Sequence, residues 1–181
     1  MQEPASLLLM NVVLPLWVAA GLLDWLCHRA ADIAHTSGLK ENLLHLVMFG
    51  EIGAGMAAVA FLEIDGAVLL IVMAVFALHE LTVYWDLHYS TPRRHVGPFE
   101  QMVHSVLEIL PLLSLALLAV IAWPQWSDVS LRAKAQPLPS AYLAGAAAFV
   151  AVFNGLPLLQ ETWACWKARV KARTLPNPGP R

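Results

Sequence analysis

Histidines and carboxylates stand four residues apart at several places in this sequence, within segments that are otherwise apolar. These pairs are Asp24/His28, Glu41/His45, Glu100/His104 and His104/Glu108. Residues at this spacing lie on one face of an α-helix, one turn apart. Imidazole and carboxylate groups together suit Fe, Mn or Zn as ligands. The pattern therefore indicates a metal site built on helices.

The segments that carry these residues are long enough to cross a membrane. The chain is 59% hydrophobic and 13% charged, whereas soluble domains are ~45–50% apolar and ~25% charged. About 20 apolar residues cross the ~30 Å hydrocarbon core. The apolar runs cover about 7–27, 43–62, 67–89, 99–123 and 141–163. We predict an all-α polytopic membrane helical bundle with five transmembrane helices, the first of which is a retained span and not a signal peptide.

The polar residues are placed at alternating ends of the first four spans. Spans 1 and 3 are polar at their C-terminal ends, and spans 2 and 4 at their N-terminal ends. In an antiparallel four-helix bundle these four ends meet, so we predict one polar cluster at a single membrane face. A charge at mid-bilayer costs at least ~2.5–3.5 kcal/mol, and polar pairs between membrane helices contribute only ~0.6 kcal/mol on average. A functional role therefore explains this cluster better than a role in holding the helices together.

We expect one domain over residues 1–173, with a disordered tail at 174–181, and a metal site within that domain. The leading ligands are one embedded histidine from each of the first four spans: His28, His45, His79 and His104. The carboxylates expected to bridge or terminate the site are Asp24, Glu41, Asp86, Glu100 and Glu108. Glu80 and Glu108 are the candidates for catalytic groups.

Four-helix bundles build di-iron and di-manganese centres from such residues, so we expect two metal ions. Iron, the first choice, suits an oxidoreductase, an oxygenase or oxidase acting on a lipid or quinone-like substrate. Zinc or manganese would suit a membrane hydrolase that uses a metal-activated water.

Three other interpretations stay open at this point. A b-type haem between two histidines needs no carboxylate beside each histidine. A metal or proton carrier would use a relay of such groups, yet the outer halves of spans 2 and 4 are apolar. A purely structural polar cluster is the third. Membrane lipids and a hydrophobic substrate are the expected partners. Nucleic acid is not expected to bind, because no Lys/Arg-rich stripe is present. No pattern in the sequence defines an oligomeric state.

Basic residues predict the orientation in the membrane. Nine lie in the segments after spans 1, 3 and 5, and two, Arg132 and Lys134, lie in the linker after span 4. The positive-inside rule then predicts an external N-terminus and a cytoplasmic C-terminus. Arg94 is interpreted as one of these topology-setting charges. Asn154 and Glu161 of span 5 are expected to be helix-contact and interfacial residues outside the site.

Three stretches carry a family resemblance: DWLCHR at 24–29, TSGLKENLLHL at 36–46, and residues 79–111, which include HELTVYWD and RRHVGPFEQMVHSVLEILP. They resemble an uncharacterised family of small bacterial multi-pass membrane proteins. The resemblance implies a bacterial inner (cytoplasmic) membrane and no particular activity. The label diguanylate cyclase, sometimes attached to that family, is rejected because the chain has no GGDEF-type sequence and no phosphate-binding glycine loop.

Replacing either of two predicted ligands tests the metal hypothesis directly. We expect His45→Ala and His104→Ala each to lower the metal bound to detergent-purified protein, because each removes an imidazole ligand. Mass-spectrometric metal analysis measures the change. Unaltered metal content in both variants would contradict the hypothesis.

Overall fold

The computed structural model describes residues 2–174, so the predicted tail lies outside the described residues except for Thr174. Every long element in this part is a helix, and five are long and apolar enough to cross a membrane. This confirms the all-α class and the five spans. The helices are α1 (Gln2–Leu8, a π turn at Leu9–Val13, and Leu14–Ala30), α2 (Leu39–Phe61), α3 (Gly66–Ser90), α4 (Pro98–Ala122) and α5 (Ser140–Val150, a π turn at Ala151–Gly155, and Leu156–Thr174).

Helix α1 ends at Ala30, three residues beyond the apolar run predicted at 7–27. The helix stops at Ala30 because Asp32 adopts a left-handed backbone conformation, with φ of 49°. The Asp32 carboxylate then accepts a hydrogen bond from Nδ1 of His35 at 2.9 Å, across a short 3₁₀ turn. These two residues are consequently held outside the helix and near solvent.

Contacts between the helices form a cycle. In the described part of the chain, α1 contacts α4 and α5, and α2 contacts α3 and α5, while α3 and α4 contact each other. The fifth helix thus lies against both α1 and α2. The antiparallel four-helix bundle predicted for the first four helices remains a prediction.

The π turn of α5 makes one close contact with α1. It carries Asn154, whose Nδ2 donates a hydrogen bond to the backbone oxygen of Val18 at 3.2 Å. Gly21 faces the same amide, and a Cβ atom there would collide with it. A π turn inserts one extra residue into a helix and often marks a functional position. Here the π turn places the side-chain amide of Asn154 against the backbone of α1.

The loop after α4 folds back onto the connection between α2 and α3. The backbone NH of Glu63 donates to the oxygen of Arg132, and the NH of Lys134 donates to the oxygen of Phe61, both at 2.9 Å. Asp65 caps α3, because its carboxylate accepts from the NH groups of Ala67 and Val68. These bonds satisfy backbone groups that a membrane-spanning protein has to keep paired.

The first residue of α3 has no room for a side chain. A Cβ atom at Gly66 would lie 2.0 Å from the backbone oxygen of Trp126 and 3.0 Å from that of Asp128. We expect Gly66→Ala to lower the free energy of unfolding by about 1–3 kcal/mol, as overpacking does. Thermal unfolding in detergent, followed by circular dichroism, measures the loss.

Gly145→Ala is the matched control for this prediction. Gly145 lies within α5, and a Cβ atom there meets no neighbouring atom within 4 Å. Since alanine favours a helix over glycine by about 1 kcal/mol, this variant should be as stable as the original chain or more so. Equal stability of the two variants toward thermal unfolding would contradict the close packing at Gly66.

Candidate metal centre

Two histidine rings lie face to face in the interior and share one carboxylate. The rings of His28 on α1 and His45 on α2 are 4.4 Å apart between centroids and tilted by 8°. Nδ1 of His28 lies 3.1 Å from Oε2 of Glu161, and Nδ1 of His45 lies 3.2 Å from its Oε1. Asn42 donates a further hydrogen bond to Oε1 at 2.9 Å. With Nδ1 of each ring donating to Glu161, both Nε2 atoms are free to act as ligands.

The Nε2 atom of His28 faces a group of possible ligands from α1 and α4. It lies 3.4 Å from Oδ2 of Asp24 and 3.7 Å from Oε1 of Glu100. Nε2 of His104 lies 2.9 Å from Oδ1 of Asp24 and 3.9 Å from Oε1 of Glu100. One donor atom from each of these four residues can be chosen so that all lie within 4.8 Å of one another.

A second group lies around His45. Its Nε2 atom is 3.9 Å from Oε1 of Glu41 and 3.7 Å from Oδ2 of Asp86. His28, Glu41 and His45 also offer donor atoms within 4.8 Å of one another. His28 belongs to both groups, so the two candidate positions are adjacent.

The spacing of these atoms suits a shared cation. Donor atoms that bind one ion through bonds of ~2.1 Å lie roughly 3.0–4.2 Å apart, in tetrahedral or octahedral geometry. The distances from Nε2 of His28 fall in this range. That atom is buried, and no hydrogen-bond partner for it is found within residues 2–174. A buried polar atom without a partner costs about 1–3 kcal/mol, which a bound cation would offset.

One arginine from the loop between α3 and α4 enters the same cluster. Arg94 is buried; its Nε and Nη2 lie 2.8 and 2.7 Å from Oε1 of Glu41, and its Nη1 lies 2.6 Å from Oε1 of Glu100. Burial lowers the pKa of Arg94, but the hydrogen bonds and negative charges of Glu41 and Glu100 outweigh burial and raise that pKa above its ordinary value. The guanidinium is therefore permanently charged. Oε2 of Glu41 is left buried and without a hydrogen-bond partner in the described chain.

The cluster holds more negative than positive charge. We define the carboxylate–histidine cluster as the following residues: Asp24, His28, Glu41, His45, Asp86, Arg94, Glu100, His104 and Glu161. With all five carboxylates ionised, the guanidinium leaves four negative charges unbalanced if the three histidines are neutral and one if all three are protonated. Buried charges are normally paired or bound to metals, so this excess also favours cations.

A cavity of about 160 Å³ lies beside the cluster. Its wall includes Asp24, His28, His45, Asp86 and His104, and it reaches the aromatic pair Trp17 and Phe49, whose rings stack 6.4 Å apart. The cluster therefore faces an internal space that a small molecule or the end of a larger one can enter.

Three predicted residues stand apart from the cluster. His79 lines the cavity but faces Glu51 instead of the cluster: its Nδ1 lies 3.3 Å from Oε2 of Glu51, and neither of these atoms has a hydrogen-bond partner in the described chain. Thr82 donates to Oε1 of Glu51 at 2.8 Å. Glu108 lines the cavity but makes no ion pair or hydrogen bond within the described chain. Glu80 does not line it, and its Oε1 is buried without a hydrogen-bond partner among residues 2–174.

The structure brings together seven of the nine ligands predicted from the sequence: Asp24, His28, Glu41, His45, Asp86, Glu100 and His104. It also adds residues that the sequence analysis leaves out. Glu161, expected outside the site, joins His28 to His45, and Arg94, interpreted as a topology-setting charge, is buried among the carboxylates. The sequence feature that could have identified Glu161 is its residue type, since a carboxylate inside an apolar span is a functional candidate by default.

The geometry defines a helical membrane protein with a buried carboxylate–histidine cluster. No protein-family model matches this chain, and no curated protein or solved structure matches it significantly. The family resemblance drawn from the sequence therefore remains a prediction, and the functional argument depends on the cluster itself.

The shared carboxylate should control how well the two histidines bind a cation. In Glu161→Gln an amide replaces one carboxylate oxygen, so one Nδ1–H loses its acceptor and the ring its fixed orientation. Removing such a supporting partner weakens metal binding by roughly 10–100-fold. Titration of the purified apoprotein with Fe(II) or Zn(II) measures the dissociation constant.

The control for this prediction is Glu3→Gln, the same change at an exposed position in α1. It should leave the dissociation constant unaltered. If Glu161→Gln binds as tightly as the original chain, Glu161 does not position the two histidines.

Proposed function

We infer that this chain is a membrane metalloprotein with two metal ions in the carboxylate–histidine cluster, and that it oxidises a lipid or quinone-like substrate. One observation carries this proposal. Nε2 of His28 is buried, has no hydrogen-bond partner in the described chain, and faces carboxylate oxygens at 3.4 and 3.7 Å. These distances are too long for good hydrogen bonds and suit ligands of one ion.

The two groups of donors suggest how two ions would be held. The first ion would bind to Asp24, His28, Glu100 and His104. The second would lie between His45 and Glu41, where Asp86 offers a further oxygen at 3.7 Å from Nε2 of His45. Arg94 occupies Oε1 of Glu41 and Oε1 of Glu100, so the other carboxylate oxygen of each residue would bind a cation.

The donor types are compatible with iron. The two groups contain only imidazole nitrogen and carboxylate oxygen, which suit Fe, Mn or Zn better than Cu(I). Paired iron ions in such sites support reactions with O₂. In a quinol oxidase, two quinols would each supply two electrons and two protons, and one O₂ would become two waters. In a lipid oxygenase, one oxygen atom would enter the substrate, and a cellular reductant would supply the two electrons that form one water.

The structure argues against two of the other interpretations. A bis-histidine haem needs its two imidazoles on opposite sides of the macrocycle, so His28 and His45, whose rings stack directly at 4.4 Å, do not form such a pair. A carrier needs a polar path across the membrane, whereas the cavity beyond Trp17 and Ile52 is lined almost wholly by apolar side chains. A hydrolase remains the alternative if the bound metal is zinc.

We further propose that the protein belongs to a bacterial inner membrane, with its N-terminus outside and its C-terminus in the cytoplasm. The support is the excess of basic residues after α1, α3 and α5. In this orientation the carboxylate–histidine cluster lies near the cytoplasmic face, where iron and reductants are available.

Metal analysis with an absorbance spectrum tests the proposed function. Protein purified in mild detergent should hold about two equivalents of iron, as di-iron bundles do, with no haem band. His28→Ala should lose most of this metal because His28 belongs to both groups of donors. Oxygen uptake after addition of a reduced quinone or lipid should depend on the iron.

His95→Ala is the matched control, because His95 lies exposed in the loop before α4. Its metal content should equal that of the original chain. A content of two equivalents of zinc would support hydrolysis as the function in place of oxidation. A haem band, or no metal after reconstitution with Fe(II), Mn(II) and Zn(II), would overturn the proposal.

A further inference from the structure

A second cavity continues from the one beside the cluster. Its volume is about 240 Å³, and side chains from all five helices line it. Trp17 of α1 and Ile52 of α2 line both cavities, so the two spaces lie next to each other, on either side of these residues. We call the second cavity the apolar chamber.

The apolar chamber extends along the helices, away from the cluster. On α1 its wall runs from Trp17 back to Leu9, eight residues earlier. At a rise of ~1.5 Å per residue this is about 12 Å. The chamber is therefore elongated in the direction of the helix axis, and its end at Trp17 and Ile52 is the one nearest to the cavity beside the cluster.

The two hydroxyl groups in the chamber wall are already used within the protein. The hydroxyl of Ser114 donates to the backbone oxygen of Leu110 at 2.8 Å, and the hydroxyl of Tyr142 donates to that of Met10 at 3.4 Å. The rest of the wall is aliphatic, aromatic or methionine side chains, with Gly55 and Pro111. An occupant thus finds no charge and no hydroxyl donor left unused among the described residues.

We propose that the apolar chamber binds the unbranched hydrocarbon chain of a lipid substrate, with the reactive end of that lipid at the carboxylate–histidine cluster. The role of substrate depends on the proposed function, whereas chain binding depends only on the chamber. An elongated apolar space gains affinity by removing methylene groups from water, at about 0.8 kcal/mol for each.

Photo-crosslinking tests where the chain lies. The probe is hexadecanol with a diazirine in the middle of its chain, added to the protein in lipid nanodiscs, irradiated and located by peptide mass spectrometry. We expect labels on inward-facing chamber residues such as Met56 and Leu110. Labels confined to outward-facing residues such as Leu81 and Ile109, which are 67% and 60% exposed, would overturn the proposal.

Two substitutions on α2 form a matched pair for the same experiment. Gly55 is buried in the chamber wall, where a Cβ atom would lie 3.5 Å from Val75, whereas a Cβ atom at Gly53 meets nothing within 4 Å. Gly55→Leu should therefore remove most of the internal labelling, and Gly53→Leu should leave it intact. Equal labelling of both variants would contradict binding in the chamber.

Competition and metal content separate this inference from the proposed function. Unlabelled hexadecanol should suppress internal labelling more strongly than farnesol, a branched isoprenoid alcohol. The opposite order would overturn the assignment to an unbranched chain. Gly55→Leu should retain its metal, because Gly55 makes no contact with the cluster. Internal labelling in a protein that binds no metal would overturn the proposed function and the role of substrate, but not chain binding.

Discussion

The carboxylate of Glu161 joins two imidazole rings and an amide through its two oxygens, and the order of the cluster follows from this junction. Each ring donates through Nδ1, so each Nε2 points away from Glu161 toward the carboxylates of α1, α2, α3 and α4. In an apolar medium an unpaired charge is far more costly than in water. The helices therefore have to pack so that these groups meet, and the same contacts bring together the donor atoms proposed to bind cations.

Arg94 shows why a guanidinium suits this position. It reaches carboxylates on α2 and α4 at once, through three different nitrogen atoms. The planar fork of arginine allows this, whereas lysine would offer a single nitrogen. Buried ion pairs often add little net stability, because desolvation offsets their attraction. Their effect here is geometric, since Arg94 fixes the separation of Glu41 from Glu100, and so the separation of the two groups of donors.

The sequence predicts the spans and much of the cluster for reasons that are local. Span length follows from the thickness of a bilayer, and the four-residue spacing places Asp24 beside His28 on one helix face. The role of Glu161 depends instead on which helices touch, because α5 meets both α1 and α2. Periodicity along one helix does not contain that information. The same holds for Arg94, whose burial depends on the path of a loop, and for His79, which pairs with Glu51 instead of the cluster.

The position of Glu161 in the chain has a consequence for biosynthesis. Helix α5 is made after the other four, beyond the linker that follows α4. Until α5 enters the membrane, His28 and His45 lack the acceptor that fixes their rings, and the contacts between α1, α2 and α5 cannot form. The side chains proposed as ligands are therefore oriented only after α5 has been made. If the cluster binds metal as proposed, a nascent chain that lacks α5 would not hold a reactive metal in an incomplete site.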